Sequence, residues 1–170
     1  MMSHVQKISL LSLLLLPTVA YANVVWPALY LEVRLFSWWA ISAGLVLETL
    51  FVRYYFSLPA KRAFVATLAA NIVSALLGIV LIPLAGLLWE FFPASIINSL
   101  LGWGTFNPIT WGATFLLGCL VNSILEGLVY KKWFVANLQL KSTAFLWLLA
   151  VNSLSVAMAF ISLWIEPLVL

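Results

Sequence analysis

Residues 63–88 read AFVATLAANIVSALLGIVLIPLAGLL, a stretch without a single charged side chain. An α-helix rises about 1.5 Å per residue, and the hydrocarbon core of a bilayer is about 30 Å thick, so about 20 apolar residues suffice to cross it. The stretch is long enough for one membrane span. It therefore predicts that the chain crosses a membrane at least once.

The remainder of the chain has the same character. Of its 170 residues, 65% are hydrophobic and 8% are charged, whereas soluble domains average about 45–50% and 25%. These proportions exclude a soluble globular domain. Three further apolar stretches of sufficient length lie at 35–56, 111–130 and 142–164. The sequence thus predicts an all-α integral membrane protein, a four-helix transmembrane bundle made of two helical hairpins at 35–88 and 111–170.

Residues 1–22 are similar to a secretory signal peptide. Lys7 precedes an apolar run at 8–16, and the small-residue motif Ala-Tyr-Ala at 20–22 is typical of a cleavage site. Cleavage there would start the mature chain at Asn23. An uncleaved extra span is the alternative, because the apolar character continues to Trp26. Either interpretation leaves residue 23 outside the cytoplasm.

The basic residues predict the orientation of the spans. If residues 23–34 form a short extracytoplasmic segment, both hairpins turn on the cytoplasmic side. Seven of the eight basic residues then lie inside, as the positive-inside rule requires. We therefore expect a multi-pass protein of the bacterial cytoplasmic (inner) membrane, with the mature N-terminus and the C-terminus on the outer, periplasmic side. The seven are Lys7, Arg53, Lys61, Arg62, Lys131, Lys132 and Lys141.

Residues 89–110 form the predicted extracytoplasmic loop between the hairpins. A short helix is expected within 93–102, because Gly102 is a suitable stop and turn-forming residues follow it up to Pro108. We interpret this helix as lying flat at the outer interface. A re-entrant or partner-binding loop is the alternative.

The two hairpins resemble each other in sequence. ETLFVRYYF at 48–56 matches EGLVYKKWF at 126–134, and NIVSALLG at 71–78 matches NSLSVAMA at 152–159. Each hairpin has two spans, so both copies enter the membrane in the same orientation. The sequence therefore predicts parallel repeats related by a pseudo-twofold axis along the membrane normal.

Polar side chains occupy equivalent positions in the two repeats. Spacing of four residues places Glu48 on a face with Ala40 and Gly44, and Glu126 on a face with Gly118 and Asn122. Polar residues within spans are costly and usually face the bundle interior. We expect a polar intramembrane core in layers, with the glutamates nearer the cytoplasm and the asparagines near the midplane. Its members are Glu48, Glu126, Asn71, Asn152, Ser74, Ser155 and Asn122.

Several kinds of chemistry lack the residues they require. The chain has one cysteine, Cys119, one histidine, His4, and no aspartate. Disulfides, zinc or haem sites and Ser-His-Asp catalysis are therefore not expected, and we predict no enzymatic activity, metal or cofactor. The basic residues are scattered among spans, so they do not form a nucleic-acid surface.

Two functions remain open for the polar core. In the first, the protein is a non-enzymatic scaffold, assembly factor or small subunit of a membrane complex. Its partners are then the lipid bilayer and other membrane subunits or a second copy, and the polar residues fix helix register. In the second, it is a small proton- or cation-coupled transporter that uses Glu48 and Glu126 as a titratable pair.

Overall fold

A computed structural model describes residues 37–165 of the chain. Every regular element within this range is helical, and the range contains no strand. The expected signal peptide, the segment 23–34 and the last five residues lie outside the described residues.

Five α-helices and one π-helical turn make up this part of the protein. Three helical segments are long and apolar enough to cross a membrane: 60–101, 108–133 and 143–162. The elements are α1 (Trp38–Tyr55), α2 (Ala60–Trp89), the π-helical turn (Glu90–Ala94), α3 (Ser95–Leu101), α4 (Pro108–Trp133) and α5 (Thr143–Ile165).

Helix α1 is not among the three membrane-length segments. Its 18 residues extend about 27 Å at 1.5 Å per residue, slightly less than the thickness of a hydrocarbon core. It also carries Glu48 and Arg53, which lower its mean hydropathy. The fourth predicted span, 35–56, coincides with this helix but begins in residues that lie outside the described range.

Local sequence explains where the helices begin and end. Proline favours the first helical turn because its missing N–H has no partner there. Pro108 follows Asn107, whose side chain caps α4 by accepting a hydrogen bond from the Thr110 amide at 2.9 Å. At the other end of the loop, α3 stops at Gly102, which has the left-handed φ of 62°, as expected for a glycine after a helix.

The short helix expected within 93–102 is present as α3, but it is continuous with α2 rather than separate. Helix α2 does not end near Leu88 but continues through the π-helical turn into α3, giving 42 consecutive helical residues. Pro93 lies within the π-helical turn. Proline lacks an N–H and clashes with the preceding helical turn, and a wider π turn is one way for a helix to absorb the mismatch.

The four long helices form a closed ring. Helix α2 packs against α4, α1 packs against α5, and the two helices of each hairpin pack against each other. Helices α1 and α4, which carry the glutamates, therefore lie diagonally opposite. Small side chains permit close approach where no hydrophobic force draws helices together. Helix α2 buries such a ladder, formed by Ala66, Ala70, Ser74 and Gly78.

An apolar cluster fills the end of the ring where the two hairpins turn. Phe56, Leu58 and Phe134 from the hairpin connections pack against it. This end of the bundle is therefore closed by side chains that exclude water. The buried members of the cluster are Val52, Ala63, Ala66, Ala70, Val129, Tyr130, Leu138 and Leu148.

Candidate functional site

Both glutamates of the long helices are buried. Glu48 is 2% exposed and Glu126 is 1% exposed. In α1 the buried residues recur every fourth position, at Ala40, Gly44, Glu48 and Val52. The carboxyl groups therefore point into the ring, because they share a face with the small residues on which the helices pack.

The carboxylate of Glu48 accepts hydrogen bonds from two other helices. Asn71 of α2 donates through Nδ2 to one oxygen, and Ser155 of α5 donates through Oγ to the other. Asn71 also donates to the Thr67 carbonyl oxygen, one turn earlier in its own helix, at 3.0 Å. The second contact holds the amide in the orientation that the carboxylate needs.

The carboxylate of Glu126 has a matching set of donors. Asn152 of α5 donates through Nδ2 at 2.8 Å, and Ser74 of α2 donates through Oγ at 3.3 Å. Asn152 also donates to the Leu148 carbonyl oxygen at 3.3 Å, as its counterpart does in the first hairpin.

The hydrogen bonds are exchanged between the two hairpins. Each glutamate accepts an amide N–H from its own hairpin and a hydroxyl from the other hairpin. The hydrogen bonds are therefore symmetric, because each bond in one hairpin has an equivalent bond in the other. These four bonds connect all four helices of the ring through two carboxyl groups.

The glutamates and asparagines form one cluster rather than the separate layers expected from sequence. In the first hairpin, Glu48 precedes the end of α1 at Tyr55 by seven residues, and Asn71 follows the start of α2 at Ala60 by eleven. Their backbones thus differ in height by about 6 Å at 1.5 Å per residue. Helical side chains lean toward the N-terminus of their helix, and in antiparallel helices this brings the two groups together.

Neither carboxyl group has a basic partner within residues 37–165. All six basic side chains in this range are exposed. Burying an ionised carboxylate without an opposite charge costs several kcal/mol, and two such groups in one cluster add mutual repulsion. The arrangement therefore favours the uptake of a positive charge, either a proton or a cation.

A cavity of about 290 Å³ adjoins the cluster, and both glutamates line it. All four helices of the ring contribute to its wall. The half-buried Asn122 lines the same cavity and so belongs to the site. The remaining lining residues are Ala40, Ile41, Gly44, Leu45, Leu68, Asn71, Ile72, Ala75, Asn152, Ser155, Val156 and Ala159.

Gly44 allows α1 to approach α5 at the site. A Cβ atom on Gly44 would lie 3.3 Å from Ser155 Oγ, closer than ordinary van der Waals contact. The glycine thus lets the Ser155 hydroxyl reach the carboxylate of Glu48. In the second hairpin, the equivalent position holds Asn122 instead of a glycine.

Two buried hydroxyl groups near the site did not emerge as candidates from the sequence. Tyr130 follows Glu126 by one helical turn, and Thr67 precedes Asn71 by one turn. Both side chains are fully buried. Spacing of four residues from a core glutamate or asparagine was the available signal. The residue equivalent to Tyr130 in the first hairpin is Val52, and the residue equivalent to Thr67 in the second hairpin is Leu148. These two hydroxyl groups therefore occur on α2 and α4 and have no counterparts on α5 and α1.

Among the described residues, no three His, Cys, Asp or Glu side chains come together that could hold a metal ion. The site thus consists of two carboxyl groups, their amide and hydroxyl donors, and a cavity. No protein-family model, curated protein or solved structure matches the chain.

Proposed function

We propose that the protein is a small integral membrane transporter that binds a proton or a cation at Glu48 and Glu126 and couples its release to movement of a solute. The observation that carries the proposal is the cavity shared by the two carboxyl groups. A cluster that only held the helices together would not require a cavity beside its carboxyl groups.

The outer surface of the bundle supports placement in a bilayer. Its large apolar side chains are exposed, among them Leu76 at 65% and Leu146 at 63%. Exposed apolar area of this extent is costly in water but not in lipid. The membrane is the bacterial inner membrane in this proposal, and α1 belongs to the fourth span predicted at 35–56. The exposed basic residues near the hairpin turns then face the cytoplasm.

The internal repeat also supports transport. Parallel repeats with a binding site between them are one of the recurrent designs of membrane transporters. In this chain the matching glutamates lie on diagonal helices, and each depends on both hairpins for its hydrogen bonds. A relative movement of the hairpins would therefore change the environment of both carboxyl groups at once.

The test is proton flux in vesicles that contain the purified full-length protein. Because proton movement is coupled to a solute, a candidate solute is supplied on one side of the membrane together with an imposed pH gradient, and a pH-sensitive dye in the lumen reports proton movement. Flux above that of empty vesicles is expected for the wild type, and its loss is expected for Glu48→Gln and Glu126→Gln. Leu146→Gln is the control for reconstitution, because Leu146 is exposed and lies outside the cavity. Flux that is equal in all variants contradicts the proposal.

A structural subunit or assembly factor is the second candidate function. It is favoured by the four hydrogen bonds that connect all four helices through the two carboxyl groups. Affinity purification in mild detergent would then recover a stoichiometric membrane partner. Asn71→Leu and Asn152→Leu would weaken that assembly, whereas the glutamine variants, which keep a hydrogen-bonding group, would retain it.

A further inference from the structure

The wall of the cavity combines polar and aliphatic residues. Its carboxyl, amide and hydroxyl groups include those of both glutamates. Most of its aliphatic residues come from α1 and α2. They are Ala40, Ile41, Leu45, Leu68, Ile72 and Ala75, with Val156 and Ala159 from α5.

The carboxylates retain capacity for further hydrogen bonds. Glu48 accepts two side-chain hydrogen bonds, one on each oxygen, and Glu126 does the same. An ionised carboxylate offers about four lone-pair sites. Each group therefore has lone-pair sites left for an N–H donor bound in the cavity.

The lining residues Ile41 of α1 and Leu68 and Ile72 of α2 are 48%, 37% and 51% exposed. This exposure indicates that the opening of the cavity lies between α1 and α2. The hairpin end of the ring is closed by the apolar cluster. A ligand that passes this opening crosses an aliphatic surface before it reaches the carboxyl groups.

The equivalent side of the ring, between α4 and α5, is closed. The counterparts of Ile41, Leu45 and Ile72 are Cys119, Ser123 and Ser153 in the repeat alignment. Cys119 and Ser123 are 1% and 0% exposed, and the Ser153 hydroxyl donates to its own helix at 2.8 Å. Small residues here let the helices close, so the two sides of the repeat differ.

We propose that this cavity binds a small hydrophobic amine in its protonated form, with the ammonium group at Glu48 and Glu126 and the hydrocarbon part against the α1–α2 wall. The proposal rests on the proposed function, because it names the class of solute that the transporter would carry. An inorganic cation prefers oxygen ligands on all sides, which the aliphatic residues of the wall do not provide.

The size of the cavity limits the ligand. Ligand pockets usually measure about 300–1,000 Å³, and this cavity is at the lower end at about 290 Å³. The occupant is therefore an amine with one short chain or one ring. Benzylamine is a suitable probe, and benzyl alcohol is its neutral match.

Binding of benzylammonium to the full-length protein in detergent is measured by isothermal titration calorimetry, with empty micelles as the blank. Saturable binding is expected for the wild type, and weak or no binding is expected for benzyl alcohol. Glu48→Gln should weaken benzylammonium binding by at least about thirtyfold, the change expected when one partner of a buried charge pair is removed. Sodium chloride titrated alone should give no comparable heat.

Two substitutions test the location without touching the carboxyl groups. Ala75→Phe fills the cavity, and Ile41→Trp narrows its opening from a half-exposed position that tolerates larger side chains. Both should abolish binding. Ala150→Phe makes the same change at an exposed site of α5 outside the cavity and should leave binding intact. Helicity and melting temperature confirm that each variant is folded.

The outcomes separate the two proposals. If glutamate-dependent proton flux is present but benzylammonium does not bind, or binds equally to Ala75→Phe and Ile41→Trp, the amine site is overturned and the proton site stands. If benzylammonium binds as described but vesicles show no glutamate-dependent flux, the amine site stands and transport is overturned.

Discussion

Ser74 of the first hairpin donates a hydrogen bond to Glu126 of the second at 3.3 Å. The reciprocal bond runs from Ser155 of the second hairpin to Glu48 of the first. In a symmetric interface, two contacts of this kind are the same contact seen from either side. The hairpins are thus joined by two serine hydroxyl groups, each of which donates a hydrogen bond to the glutamate of the other hairpin.

The reciprocal bonds predict a specific pattern of energetic coupling. In double-mutant cycles, Ser74→Ala should couple with Glu126→Gln and not with Glu48→Gln. The expected coupling is about 0.6 kcal/mol, the average for hydrogen bonds between membrane helices. Unfolding in SDS, followed by circular dichroism, gives the free energies. Equal coupling of Ser74→Ala with both glutamine variants would refute the pairing.

The two asparagines should differ in their effect on stability. Asn152 is 1% exposed, so Asn152→Leu leaves a carboxylate oxygen of Glu126 buried without its donor, at a cost of about 1–3 kcal/mol. Both asparagines line the cavity, but Asn71 is only half-buried. Water can therefore replace the donor lost in Asn71→Leu, which should cost about 1 kcal/mol or less. Thermal unfolding in detergent checks the order, and the reverse order would contradict this account.

Gly44 and Gly112 form a matched pair for testing close helix packing. Gly44→Leu places a side chain against Ser155, and overpacking of this kind costs about 1–3 kcal/mol. No atom lies within 4 Å of a Cβ on Gly112, so Gly112→Leu should be neutral or slightly stabilising, since leucine favours helix. Melting temperatures of the two variants provide the measurement. Equal melting temperatures for the two variants would contradict close packing of α1 against α5 at Gly44.

Gly102 and Gly104 form a second matched pair, at the end of α3. Gly102 has a φ of 62°, and a residue with a side chain in this left-handed conformation costs about 1–2 kcal/mol. Gly102→Ala should therefore increase amide hydrogen exchange in α3, measured by mass spectrometry. Gly104 has open space around it and no positive φ, and Gly104→Ala should leave exchange unchanged. Unchanged exchange in both variants would rule out the capping role.

The lengths of the apolar stretches and the spacing of their polar residues were sufficient to predict the helices and the buried face of each. The predicted stretch 142–164 became α5 at Thr143–Ile165, and Gly102 was correctly predicted as a stop. Which serine reaches which carboxylate was not predictable, because a helical face is a local property and the exchange depends on how two hairpins pack. The continuity of α2 through Pro93 was missed since proline usually ends a helix.

The cavity was also beyond sequence reasoning. It depends on the difference between large aliphatic residues on one side of the repeat, such as Ile41, and small ones on the other, such as Cys119. Both kinds of residue count as apolar in the composition. Only the packing of the helices shows that the large residues border a cavity, whereas the small ones allow the helices to close.

The exchanged hydroxyl groups have a consequence for how such a chain could arise. A single hairpin carries one glutamate, one asparagine and one serine in the required order, yet its serine bonds to the glutamate of another hairpin. Two separate copies of that hairpin, inserted the same way up, would satisfy both carboxyl groups by dimerising. Fusion of two such copies into one chain would then free each copy to diverge, one toward a closed helix contact and the other toward an opening.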